Sequence, residues 1–273
     1  MRVTVCELPH ETNALAAEWT ALCEHTVEHA SQLVLLPELA MVEPVWESEH
    51  FNAARWSAIE TLTDRHLRRL HELRVEYVVG TRPVRVNGRR LNQGYLWSAA
   101  AGVQTLRSKH FLPEEPGGWE GTWFQRGDPG FPMFHAGPAS FGLNICTELW
   151  SLETYAAYAA LGVELLLSPR ATALATTKTW LALGVVAAVR SGAFSLSSNR
   201  VDTIGRCGGR GWIIDPAGEV LAITSTGEPF ATRDIDLTKA AKAKDSYPRY
   251  VFAESRAESG EVAARGFIKS ARR

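Results

Sequence analysis

Short apolar runs alternate with longer amphipathic stretches along most of this chain, and that alternation dictates layers of strand and helix. Leu33-Val34-Leu35-Leu36 is the clearest run: unbroken, too short for a helix, suited to a strand covered on both faces, and stopped by Pro37-Glu38. Arg2 to Glu7 reads as a first strand and Thr12 to Ala30 as a helix with Thr12 at its N-cap. Asn52 to Arg74 reads as a second helix. A strand from Glu76 meets the hairpin signal Asn87-Gly88, and Leu91 to Leu106 continues as strand. Phe141 to Ile145, Glu164 to Ser168 and Ala193 to Ser198 are further strands, interleaved with helices over Leu152 to Leu161 and Thr177 to Arg190. Trp212 to Asp215 and Glu219 to Thr224 flank a Pro216-Ala217-Gly218 turn, and Phe230 to Leu237 is the last strand. No repeat or linker divides the chain. The pattern is α/β, with one domain over residues 1–245 and a charged tail over 246–273.

Charge excludes some classes of partner. Among 273 residues the formal net charge is -1, so nothing favours nucleic acid or an anionic membrane surface. The longest apolar stretch, Trp180 to Val189, is about half of the roughly 20 residues a bilayer-crossing helix needs. The chain opens directly on a strand without a secretory leader pattern, so a cytoplasmic protein is expected. Cys6, Cys23, Cys146 and Cys207 form no CxxC pair, which favours free thiols over a disulfide framework. Cys6 and Cys23 have the spacing of core residues. Cys146 does not.

Three strands end on residue types useful for catalysis. The run from Leu33 leads to Glu38, the strand before Lys109 delivers that lysine, and Phe141 to Ile145 delivers Cys146. In layered α/β folds such strand ends converge on a crevice. A thiol, a carboxylate and an ammonium there suit acyl transfer: the thiol attacks, the carboxylate takes its proton, and the cation stabilises developing negative charge. Each residue alone has a bland reading, as a helix cap, a solvated lysine or a packing cysteine. The segment from His110 to Gly130, dense in Pro, Gly and Trp, is long for a structureless loop and marks a functional region.

Leu36-Pro37-Glu38-Leu39, Lys109-His110-Phe111-Leu112-Pro113 and Gly142-Leu143-Asn144-Ile145-Cys146-Thr147-Glu148 resemble, in that order, the three signature segments of the nitrilase, or carbon-nitrogen hydrolase, superfamily. Glu153, Gly162 and Glu164 fall at the offsets of that family's Pro-Glu and Gly-Ala-Glu stretch. Ser198-Asn199-Arg200-Val201 is similar to its Asn-Arg-Val segment, and Gly209 to Gly218 to its Gly-rich strand and Asp-Pro-x-Gly turn. The resemblance covers almost the whole chain. It implies a four-layer α-β-β-α sandwich and a homodimer or larger assembly in which the tail from Ser246 crosses the interface.

The resemblance also implies roles. Cys146 is the nucleophile that forms a thioester, Glu38 the general base, and Lys109 the stabiliser of the tetrahedral intermediate, with the backbone N–H of Thr147 as oxyanion donor. The stretch from Lys109 through Pro113, Pro116 and Gly117 resembles the carbamoylputrescine amidase branch and implies a second glutamate, Glu120, with Glu114 and Glu115 as rivals. No metal or organic cofactor is implied, and the substrate class is a small amide or carbamoyl compound. Thr147 stands where many relatives carry Trp, Tyr or Asn, Leu152 where they carry Pro, and Ala156 where they carry Arg, so the substrate is left open. A nitrile hydrolase or acyltransferase remains an alternative, as does a silent interaction protein. Arg170 is a candidate for binding a substrate carboxylate, or for a structural pair with Glu148 or Glu153. Trp119, Trp123 and Trp150 are candidates for the pocket wall, and Glu148 for support of the site.

Overall fold

Twelve strands form one sheet that folds over on itself, nine of them along a continuous path and three branching from it. A computed structural model describes residues 1–252. Its strands are β1 (Arg2–Leu8), β2 (Leu33–Leu35), β3 (Tyr77–Val86), β4 (Arg89–Ser98), β5 (Gly102–Ser108), the small hairpin β6 (Glu114–Glu115) and β7 (Gly118–Trp119), β8 (Phe134–Ala136), β9 (Ala139–Leu143), β10 (Leu165–Arg170), β11 (Phe194–Arg200), β12 (Trp212–Ile214), β13 (Val220–Ile223) and β14 (Phe230–Asp234). Its helices are α1 (Thr12–Glu28), α2 (Ala53–Leu67), α3 (Glu120–Trp123), α4 (Glu153–Ala160), α5 (Thr177–Ser191) and α6 (Thr238–Lys244).

One half of the sheet holds β5, β4, β3, β2, β1 and β14, and the other holds β8, β9, β10, β11, β12 and β13. They join where the last residues of β1 pair in parallel with β11, Glu7 opposite Asn199 and Leu8 opposite Arg200. Period-2 alternation assigns each face. Leu33, Leu35, Val79, Val3 and Val5 enter one core with Leu143, Leu165, Leu167 and Leu196 of the opposite half. Val34, Leu36 and Val78 point the other way, against Leu15, Trp19 and Leu22 of α1. On the far side, Tyr155 and Tyr158 of α4 and Ala187 and Ala188 of α5 close over the second half. The result is the expected order of helix, sheet, sheet, helix.

Gly142 shows how tightly α4 sits: a Cβ there would lie 2.6 Å from the Tyr158 ring. The hairpin at Asn87-Gly88 forms as expected, both residues having positive φ, 50° and 79°.

Several boundaries differ from the sequence reading. The helix begins at Thr12, which makes Glu11 rather than Thr12 its N-cap. Asn52 caps α2 by accepting the Arg55 N–H at 2.9 Å, but α2 stops at Leu67, and a separate 3-10 turn over Leu70–Leu73 ends at left-handed Arg74. The run Leu91 to Leu106 is two strands, because a turn at Ala99 to Ala101 reverses the chain. The strand before the nucleophile ends at Leu143, and the last strand ends at Asp234. After it, Asp236 accepts both the N–H and the hydroxyl of Thr238 and starts α6, a helix the apolar pattern did not reveal. Of the tail, Arg249–Phe252 is a 3-10 turn, with Arg249 donating to the carbonyls of Val189 and Pro216. The expected crossing of the tail into a partner falls mostly on residues 253–273, outside the described residues. No helix among the described residues is long and apolar enough to cross a membrane.

Candidate active site

Four strand ends build one pocket floor. Glu38 follows β2, Lys109 follows β5, Cys146 opens a 3-10 turn (Cys146–Trp150) three residues beyond β9, and Arg170 ends β10. Glu120 heads the single turn of α3, in the Pro- and Gly-rich segment. The structure brings together all four residues expected to be catalytic. Lys109 Nζ donates to Glu38 Oε1 at 2.8 Å and to both oxygens of Glu120 at 2.8 Å. The rivals lie elsewhere: Glu114 accepts the Thr122 N–H and hydroxyl, and Glu115 is exposed on the pocket rim.

Burial decides the electrostatics. Lys109 is 0% exposed, Glu38 2%, Glu120 6% and Cys146 5%. Loss of water pulls the Lys109 ammonium down, but Glu120 and Glu38 together overcome it and hold the lysine well above its ordinary value. The cluster thus has one cation between two anions. The excess negative charge falls on Glu120, whose carboxyl is pushed up to about 7 by burial, against the pull of Lys109 and with Glu38 adding to the rise. The Cys146 thiol is raised by burial and then by Glu38, although Lys109 and a hydrogen bond from the Ala171 backbone oppose this. At rest it is a thiol, not a thiolate.

Two positions carry backbone strain. Leu39, next to the glutamate, has φ 47°, and Cys146 has φ 48°, the left-handed region that costs a branched or ordinary side chain roughly 1–2 kcal/mol. Both are braced. Leu39 N–H donates to Thr81 Oγ1 at 2.8 Å, and the buried Arg200 guanidinium donates to the carbonyls of Leu39 at 3.0 Å and Val42 at 2.7 Å. The cysteine turn is held by Glu148, which accepts the N–H of Ile145 at 2.9 Å and of His110 at 2.7 Å and pairs with Arg107. Glu148 therefore supports the site, as expected, while tying the lysine segment to the cysteine segment.

Arg170 calls for a correction. Its guanidinium is 0% exposed and donates to Ser197 Oγ and Thr172 Oγ1 at 2.7 Å and to the Arg210 carbonyl at 2.9 Å, and it lies 4.1 Å from the Trp212 ring centroid. It neither faces the pocket as a carboxylate clamp nor pairs with Glu148 or Glu153. Burial lowers it to about 9. Its contribution to the site is through backbone: the Arg170 carbonyl accepts the Glu38 N–H at 3.2 Å, and the next peptide, Ala171, meets Cys146. Asn199 holds that strand end by accepting the Thr172 N–H and donating to the Thr172 carbonyl.

A pocket of about 700 Å³ opens above Cys146, Thr147 and Glu120. Thr147 is the second residue of its 3-10 turn, where an N–H has no partner within the helix, and it is left to meet whatever occupies the pocket. Trp46, Trp150 and Trp180 wall the pocket, whereas Trp123 is fully buried in the core. The sequence reading missed Trp46, Trp180 and also Asn92, which donates Nδ2 to Glu38 Oε1 at 2.8 Å. Asn92 lies on β4, away from every signature segment.

Known proteins resemble this chain to different extents. A stretch of 66 residues, 24% of this chain, is 38% identical to the N-carbamoylputrescine amidase of Solanum tuberosum and covers 22% of it. Over half of this chain and half of that protein, 139 residues are 31% identical to the omega-amidase NIT2 of Bos taurus. The chain thus spans about a fifth and about half of the length of these curated relatives. The carbon-nitrogen hydrolase of Helicobacter pylori superposes with a TM-score of 0.81 at 20% identity, over 92% of this chain and 94% of that one. A mutant amidase from Nesterenkonia sp. AN1, with the acetamide moiety of fluoroacetamide added covalently at its active site cysteine, gives 0.74 at 19%, over 89% and 92%. At those identities the two structures speak for the fold alone. The carbon-nitrogen hydrolase family model matches residues 2–245, from the first strand through the end of α6, and on that match the chain belongs to the carbon-nitrogen hydrolase family.

Proposed function

We propose that this protein hydrolyses the C–N bond of a small non-peptide amide or carbamoyl compound, giving an acid and ammonia or an amine through a thioester on Cys146. The observation that carries the reading is the Lys109 ammonium held at 2.8 Å from both Glu38 and Glu120 beside a buried thiol. A raised thiol cannot attack as a standing thiolate, so its proton leaves as the S–C bond forms. Glu38 is suited to take it: Oε1 accepts from Lys109 and Asn92, and Oε2 accepts no hydrogen bond among the described residues. The oxyanion forms between Lys109 Nζ and the Thr147 N–H. Proton return from Glu38 releases the amine, and Glu38 then draws a proton from the water that cleaves the thioester. Glu120 fixes Lys109 and the substrate nitrogen. No step needs a redox change.

The reading extends to assembly and setting. Leu152 and Leu161 at the two ends of α4 and Val186 and Val189 of α5 are each more than a third exposed, which supports a homodimer through that layer. Four unpaired cysteines support a reducing, cytoplasmic setting.

Ammonia release from a panel of amides, carbamoyl compounds and nitriles should single out one or more amides or carbamoyl compounds, and Cys146→Ala should remove the activity while keeping the fold. Turnover by Cys146→Ala would end the proposal, and release from nitriles alone, or acyl transfer to an added amine, would move it to the alternative activities. Because Glu120 ionises at about 7 and acts as a carboxylate, kcat/KM should fall as pH drops through that value. Glu120→Gln should lower kcat/KM at pH 8 about 100-fold and erase that limb. An unchanged pH profile would remove Glu120 from the mechanism. At micromolar concentration the mass in solution should be at least that of a dimer, and a monomer would contradict the assembly.

A further inference from the structure

Asn92 spends its side chain on one contact. It is 0% exposed on β4, donates Nδ2 to Glu38 Oε1 at 2.8 Å, and leaves Oδ1 buried with no hydrogen-bond partner. An orphaned buried acceptor costs roughly 1–3 kcal/mol. Flipping the amide would not relieve the cost without setting Oδ1 against the carboxylate oxygen of Glu38. The side chain is therefore fixed in the orientation that serves the glutamate, at the expense of its own satisfaction. Its main chain is tied to the site as well, since the Asn92 carbonyl accepts the Lys109 N–H at 2.8 Å.

We infer that Asn92 is a positioning residue for the general base: with Lys109 it occupies Oε1 of Glu38, which turns Oε2 toward the thiol for proton transfer. This rests on the function proposed above. Two donors on one oxygen break the symmetry of the carboxylate, and the vacant oxygen is the one able to accept a proton. Lys109 alone cannot fix the plane of the group, because an ammonium rotates freely and is shared with Glu120. The planar amide of Asn92 adds the second anchor. Removing it frees the carboxylate to swing both oxygens onto Lys109, as Glu120 already does, and takes Oε2 away from the thiol.

The test uses Asn92→Leu and Asn92→Ala in the full chain. Both remove the orphaned acceptor along with the donor, so the melting temperature should hold or rise. At the same time kcat should fall by a factor of about 10 to 100 with little change in KM. A lower melting temperature with kcat retained per folded molecule, or a loss that falls on KM with kcat intact, would overturn the inference and leave Asn92 a packing residue. If no amide is turned over by the wild type, the proposed function fails separately. The rate of iodoacetamide modification of Cys146 at one pH still reads the base without turnover: slower modification in both variants supports the positioning role, and an unchanged rate refutes it.

Discussion

An ammonium sealed from water between two carboxylates is the constraint around which this protein is organised. At an effective dielectric near 20, each 2.8 Å contact of Lys109 is worth roughly 6 kcal/mol of attraction, and burial costs each ion several kcal/mol. Two such contacts keep the lysine charged. Glu120 shares its one cation with Glu38 and feels that neighbour's charge, so the cluster carries negative charge that Glu120 holds weakly. That charge is available to a proton, and the proton nearest to hand is on Cys146. Neither a lone Glu–Lys pair nor a solvated triad would set acid, base and thiol against each other in this way.

Backbone strain also falls on this site. Leu39 and Cys146, on the two segments that carry base and nucleophile, both adopt a left-handed backbone, and each turn is braced by buried charged groups. Arg200 of β11 clamps the turn after Glu38, and Glu148 with Arg107 of β5 clamps the turn at Cys146. Arg170 stiffens the strand end whose backbone touches both segments. The polar residues in the middle of this sandwich are thus struts. Their hydrogen bonds hold the loops that the apolar core between the sheets cannot reach.

The layers were legible in the sequence because an unbroken apolar run such as Leu33 to Leu36 calls for cover on both faces, and both of its faces are found buried, one in each core. The catalytic groups were legible because they lie at strand ends and in segments whose order resembles a known family. What escaped were contacts between segments. Asn92 sits mid-strand, and nothing in its local sequence says that a carboxylate 54 residues earlier is its partner. Arg170 was misread because its neighbours Ser168 and Pro169 suggest a strand emerging at the pocket, whereas β10 runs on through Arg170 and buries it beneath Trp212. The helix α6 escaped because its start depends on one Asp236 side chain rather than on apolar spacing. Among nine tryptophans, spacing could not tell the pocket walls Trp46 and Trp180 from the core residue Trp123.

Attack by the buried thiol is the claim on which the chemistry rests. Acid quench of the enzyme within its first turnover of a hydrolysed amide, followed by peptide mass mapping, tests it most directly. The account predicts one acyl group, with the mass of the substrate's acyl half, on the peptide that carries Cys146, and none on Cys6, Cys23 or Cys207. Turnover with every cysteine unmodified at all quench times, or with the acyl group on a different residue, would contradict it.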